Sequence, residues 1–300
     1  MRNRVESERR ESGANWTLGF AGEVVYVAPE PGPEGARVWF FTRKGGVSEP
    51  PFDSLNISTK VPDDPDAVAE NRARIRDAMH GRESAWVRQV AGDGVERVSG
   101  AGLAGEADAL VTEDEGFSLV VAIADCVPVA LVGDKKVGMV HSGWRGTIAE
   151  ISAKTAQKMD DTHLRAYIGP CIRKCCYEVS EELVDKFAER FGPEVVEGRY
   201  LSLPDAIRRN LEEVGVGEVH DLGLCTGCRP DLFFSHRKQG PRTGRNLAAV
   251  ARLPYLGDPA SLVGRAFAGY TGLLEIAPRR SLFGRIRPVI KKRGAFVCLQ

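Results

Sequence analysis

Apolar positions along the chain fall into two kinds of pattern. WVRQV (86–90), SLVVAIAD (118–125), VPVALV (127–132) and VGMVH (137–141) are β-branched and nearly continuous in apolar character, as strands covered on both faces must be. Further strands are expected at 23–27, 38–42, 164–169 and 218–224, with the turn-forming APEPGPEG (28–35) between the first two. Helical spacing appears elsewhere. DDPDAVAENRARIRDAMHG (63–81) has Asp64 to cap it, Pro65 at the first helical position, Gly81 beyond its end, and Val68, Ile75 and Met79 along one face. GWRGTIAEISAKTAQKM (143–159) is expected to be one helix with Ile148, Ile151 and Met159 on one side. SEELVDKFAERFG and PDAIRRNLEEVG give two amphipathic helices, each closed by Gly. Several strands follow one another without a helix between them. The expected fold class is therefore α+β, a mixed sheet with helices packed outside it, rather than a doubly wound parallel sheet.

Organisation follows from where this patterning stops. Residues 1–20 are expected to be a flexible segment, residues 21–253 a single domain, and residues 254–300 a basic, poorly ordered extension. That last stretch carries eight Lys or Arg against Asp258 and Glu275, and the competing reading is an arm for an anionic partner. Over the 300 residues, 41 Lys plus Arg offset 41 Asp plus Glu, so no global field draws nucleic acid or an anionic membrane. No apolar run is long enough to span a bilayer, and the charged start does not resemble a signal peptide, so a cytoplasmic protein is expected. Seven Cys, an odd number spread over a long chain, argue against a disulfide framework.

Candidate chemistry begins at DCVP (125–128) and HSGWRG (141–146), which end one strand and close another. GDKK joins the two strands as a plausible hairpin, bringing Cys126 and His141 to one end of a sheet. Such a pair suits a thiolate nucleophile with its base or two ligands of a zinc site. Arg43 in TRKGG and Arg145 in HSGWRG are candidate anion contacts, Arg43 beside a Gly-rich turn and Arg145 at a helix start. His236, Arg237 and Arg245 form a further polar cluster, weighted below these. Cys171, Cys175 and Cys176, with Cys225 and Cys228 of CTGC, offer a possible metal knuckle, but the irregular spacing favours small packed thiols near the cleft.

TRKGGVS, PFDSLNIS, DDPDAVAENR, EADALVT, the DCVP and HSGWRG pair, IGPCIRKCCYEV and CTGCRPDLFFSHRKQGPRTGRN occur in this order over residues 37–252. Together they resemble the YfiH/YlmD family, called laccase-like or multicopper polyphenol oxidase and also described as purine nucleoside phosphorylase. The resemblance implies that 21–253 is a YfiH-like catalytic domain acting on purine nucleosides (adenosine, inosine, guanosine, methylthioadenosine) and phosphate. Adenosine deamination is implied as a further activity, and a homodimer is left open. It also implies a zinc held by Cys126, His141 and a first His from a QVHG motif. This chain reads QVAG, with Ala91 in the ligand's place. Alanine has no donor atom, so the matched site keeps two ligands, and impaired catalysis is expected; His80 and Asp93 are the nearest substitutes. Copper is the less favoured metal, since five His with no H-x-H pair cannot serve four copper ions. Two alternatives remain: a cysteine hydrolase using Cys126 and His141, such as a peptidoglycan-editing amidase, and a non-catalytic binding protein with the same pocket.

Overall fold

The computed structural model describes residues 15–254. Its first sheet contains β1 (Asn15–Ala21), β2 (Val24–Glu30), β3 (Ala36–Phe41), β4 (Glu83–Arg88), β6 (Gly102–Glu106), β8 (Phe117–Ile123) and β15 (Asn246–Arg252). They lie in the order β1-β2-β3-β15-β8-β4-β6. The second sheet contains β5 (Val95–Arg97), β7 (Ala109–Thr112), β9 (Val127–Val132), β10 (Val137–Ser142), β11 (Arg165–Ile168) and β14 (Glu218–Asp221). Their order is β14-β11-β9-β10-β7-β5. Both sheets are mixed: β4 runs parallel to β6 and β8, β5 to β7, and β11 to β14, whereas the other pairs are antiparallel. A short hairpin, β12 (Val196–Glu197) with β13 (Tyr200–Leu201), stands apart. The α+β fold of mixed sheet and outer helices is as expected.

The continuous apolar runs have a direct explanation in the layering. Val38, Phe40, Leu119, Val121, Ile123, Ala130, Val132 and Met139 meet in one core between the two sheets. Their sequence neighbours Val127, Val129, Leu131 and Val140 point the other way, onto α3 (Ile151–Met159), α4 (Glu181–Phe191) and α5 (Leu203–Glu213). On the far side, Trp39, Phe41 and Val120 pack against Ile75 and Met79 at the C-terminal end of α1 (Pro65–Ala78). Each inner strand is thus buried on both faces, in an α/β/β/α stack.

Three expectations change. Residues 15–20, within the segment 1–20 expected to be flexible, belong to a strand: Asn15–Ala21 pairs along its length with Val24–Glu30. The single helix expected over 143–159 is two, α2 (Trp144–Ile148) and α3, broken where Glu150 takes a left-handed φ of 62°. Its carboxylate is held there by Arg190 at 2.6 Å. Residues 95–97, 102–106, 109–112 and 246–252, unassigned from patterning, are strands. The basic extension and Cys298 lie outside the described residues, apart from Pro254.

Candidate functional site

Register places the two candidate residues side by side. His141 in β10 pairs with Pro128 in β9, and Ser142 with Val127, which sets Gly143 opposite Cys126. A β carbon at Gly143 would lie 3.2 Å from Cys126 Sγ, so the HSG turn needs its glycine for this approach. His141 and Cys126 lie close enough for the charge of Cys126 to act on the imidazole and open into the same cleft of about 790 Å³.

Asp108, fully buried, organises this pair. Its Oδ1 meets His141 Nδ1 at 2.7 Å, while Oδ2 accepts the backbone N–H of Gly92 at 2.7 Å and of Val90 at 3.2 Å. One carboxylate thereby fixes the ring that faces Cys126 and the turn that carries Ala91. Burial by itself would lower the His141 pKa, but the charge of Cys126 and the Asp108 carboxylate outweigh it and push the imidazole up to about 9. Asp108 moves the other way: burial raises it, but the bonds from His141 and the two amides hold it below the ordinary carboxylate value. Patterning had not marked Asp108, although it lies inside the EADALVT block.

Asp125 sets the angle at which Cys126 leaves the sheet. It takes a positive φ of 91°, unusual for a side-chain-bearing residue and maintained only by surrounding contacts. Thr226 Oγ1 donates to its Oδ1 at 2.7 Å, the Arg237 amide to its Oδ2 at 2.6 Å, and the Ile172 amide to its carbonyl at 2.9 Å.

The cleft runs between α1 and the outer face of the first sheet. Val120, Ala122 and Leu247 give it an apolar wall, Trp86 stands 45% exposed on its rim, and Arg72 and Arg245 supply positive charge. Arg245 is half-buried, close enough to Cys126 and Asp125 to feel their charge, and burial lowers its pKa. Of the polar cluster His236, Arg237 and Arg245, only Arg245 lines the cleft. Trp86 was read only as part of a strand.

The two arginines expected to bind phosphate fare differently. Arg43 is buried and does not line the cleft. Its guanidinium donates to the carbonyls of Asp53 at 2.6 Å and Pro230 at 3.0 Å, pairs with the Asp53 carboxylate at 3.0 Å, and stacks 4.5 Å from the Phe234 ring. With its nitrogens so engaged, Arg43 is a strut between loops, and the expectation of a phosphate contact is corrected. Arg145 also stands outside the cleft, exposed over the Trp144 ring at 4.3 Å. Its charge reaches Tyr177, whose hydroxyl burial pushes up to about 12 and which also feels Cys126.

The metal implied by the resemblance does not fit this donor set. Cys126 Sγ and the free edge of His141 are two donors, and Ala91 offers none. The suggested substitutes are engaged elsewhere: His80 Nε2 contacts Arg37 at 2.6 Å, and Asp93 pairs with Lys154, neither residue lining the cleft. Ala91 itself holds a left-handed φ of 59°, a region where His is enriched over most side chains. Among the described residues, the one group of three or more potential ligands that converges is Cys175, Cys176, Cys225 and Cys228. The expectation of small buried thiols holds for Cys171 and Cys225 and is corrected for Cys175 and Cys228, which are exposed, and for Cys176, which is half-buried.

Comparison with known proteins agrees with this architecture. Residues 37–253 match the family model described as multi-copper polyphenol oxidoreductase laccase. The chain belongs to that family. It is 34% identical over 248 residues to "Purine nucleoside phosphorylase YlmD" of Geobacillus stearothermophilus, covering 73% of this chain and 90% of the relative. It is likewise 34% identical over 232 residues to "Purine nucleoside phosphorylase YfiH" of Escherichia coli, covering 73% and 95%. The crystal structure of YlmD from Geobacillus stearothermophilus superposes with a TM-score of 0.72 at 29% identity, covering 79% of this chain and 99% of that one. No helix among the described residues is long and apolar enough to cross a membrane.

Proposed function

We propose that this chain is a purine nucleoside phosphorylase of low turnover, binding the nucleoside in the cleft that ends at Cys126 and His141. The observation that carries the reading is the Asp108–His141–Cys126 chain opening into a cleft with one apolar wall and a cationic rim. The relatives' names support the reaction class. A purine stacks against Trp86 and the apolar wall, and Arg245 takes the phosphate, with Arg145 as the second candidate. Bond exchange occurs at the ribose C1′: a phosphate oxygen bonds to it as the C1′–N9 bond breaks. The departing base carries the electron pair and needs a proton. His141, an imidazolium through neutral pH, gives that proton and recovers it from the attacking hydrogen phosphate.

Zinc, were it bound, would supply Lewis acidity. This chain has only two of the three protein ligands implied, so no step is assigned to it and slow turnover is the consequence. Adenosine deamination, which needs a strongly activated water, ranks second for the same reason. A cysteine hydrolase is the competing reading, favoured by the order carboxylate, imidazole, thiol. Phosphate dependence separates them: phosphorolysis of inosine yields hypoxanthine and ribose 1-phosphate only when phosphate is present, whereas a hydrolase releases product without it. Nucleoside binding with no product at any phosphate concentration would leave a binding protein.

A further inference from the structure

We infer that Cys175, Cys176, Cys225 and Cys228 form a second, structural metal site that takes one zinc ion as a four-thiolate centre. The sulfur atoms all lie within 4.8 Å of one another, and Cys228 Sγ stands 3.4 Å from both Cys175 Sγ and Cys176 Sγ. A tetrahedral zinc with bonds of about 2.3 Å separates its sulfurs by roughly 3.8 Å, so small movements convert this cluster into a coordination shell. A disulfide joins only two sulfurs. Here one thiol is 3.4 Å from two others, so the cluster brings more than two sulfurs together.

The surrounding backbone is shaped for the same purpose. Cys225-Thr226-Gly227-Cys228 is a C-x-x-C knuckle, closed by the Arg229 amide donating to the Cys225 carbonyl at 3.1 Å. A β carbon at Gly227 would lie 3.1 Å from both Cβ and Sγ of Cys176, so the knuckle closes on the second ligand pair only with glycine there. Binding of Zn²⁺ displaces up to four thiol protons and leaves a centre of net charge −2, with the Lys238 stem packed beside the knuckle.

The site has a structural consequence at the cleft. Thr226, inside the knuckle, and Ile172, three residues before Cys175, both hold Asp125 in its positive-φ conformation. Zinc at the four cysteines would lock together the two loops that aim Cys126.

The test uses the full chain carrying Cys126→Ala, which removes the thiol at the other site. Purified with reductant and zinc, this variant should retain about one zinc per chain by elemental analysis. Replacement by Co²⁺ should give the intense thiolate-to-cobalt charge transfer of a tetrahedral four-sulfur site. Adding Cys225→Ser and Cys228→Ser should abolish both signals. If that variant fails to fold, titration of the Cys126→Ala protein with a mercurial decides instead, with one zinc released as four thiols react. Little or no metal in Cys126→Ala, with these thiols freely alkylated, would overturn the inference. A mass two hydrogens lower per bridge, showing disulfides among these four residues in the reduced preparation, would overturn it equally.

Discussion

At the residue scale, the site turns on one carboxylate. Asp108 holds His141 with one oxygen and the Val90–Gly92 turn with the other. Asp108→Asn should therefore drop the His141 titration from about 9 towards its ordinary value of 6.5, as followed by NMR of the imidazole protons. The sign of the stability effect follows. A folded-state pKa raised above the unfolded one stabilises fully below about pH 6.5, and this contribution is lost as pH rises through about 9. Urea midpoints should fall across that window in the parent protein and much less in Asp108→Asn. Ala91 makes a different prediction, because its left-handed backbone suits either Gly or His better than Ala. Ala91→Gly should stabilise by about 0.5–1 kcal/mol without changing metal content. Ala91→His should add close to one zinc per chain beyond that held by the cysteine cluster, measured with Cys225→Ser and Cys228→Ser as the background. Arg43→Ala should lower stability by about 2–3 kcal/mol, since it strips the partner from the Asp53 and Pro230 carbonyls. It should leave the phosphate concentration dependence of the remaining activity unchanged.

At the element scale, legibility followed burial. β9 and β10 were readable to within a residue because both faces are packed and every position is apolar or small. α1 was readable from its ends, where Asp64 accepts the Asp66 amide as expected of a cap. β5 and β6 were not readable, being short and partly exposed, with Gly102 and Gly105 breaking any alternation. The break at Glu150 was hidden for another reason: nothing local forbids a continuous helix over 143–159, and the Arg190 that pairs with Glu150 comes from a helix distant in sequence. The same limit applies to the cysteines. Adjacent Cys175 and Cys176 form no recognisable ligand spacing, and backbone pairing of Cys171 with Cys225 between the two loops brings CTGC to them. α1 also forms a wall of the cleft, so its packing bears on function. Ile75→Ala should cost about 2–4 kcal/mol by opening a cavity against Trp39 and Val120, read from urea unfolding, and should weaken nucleoside binding along with it.

At the scale of the whole molecule, chain order and site are related through the two sheets. The first sheet and α1 build the cleft, while the second sheet delivers Asp108, Cys126 and His141 to its end. Membership of the family was legible from ordered motifs, and so was the Cys126–His141 pair. The division of labour among arginines was not, because a guanidinium beside a Gly-rich turn can grip an anion or, as at Arg43, two backbone carbonyls. Phosphorolysis is the reaction proposed for this cleft. It is tested most directly by incubating the purified chain with inosine, with and without phosphate, and measuring hypoxanthine and ribose 1-phosphate. Slow, phosphate-dependent formation of both products in equal amounts is expected, abolished by His141→Gln and increased by Ala91→His. Hypoxanthine release without phosphate, or product formation unaffected by His141→Gln, would contradict it.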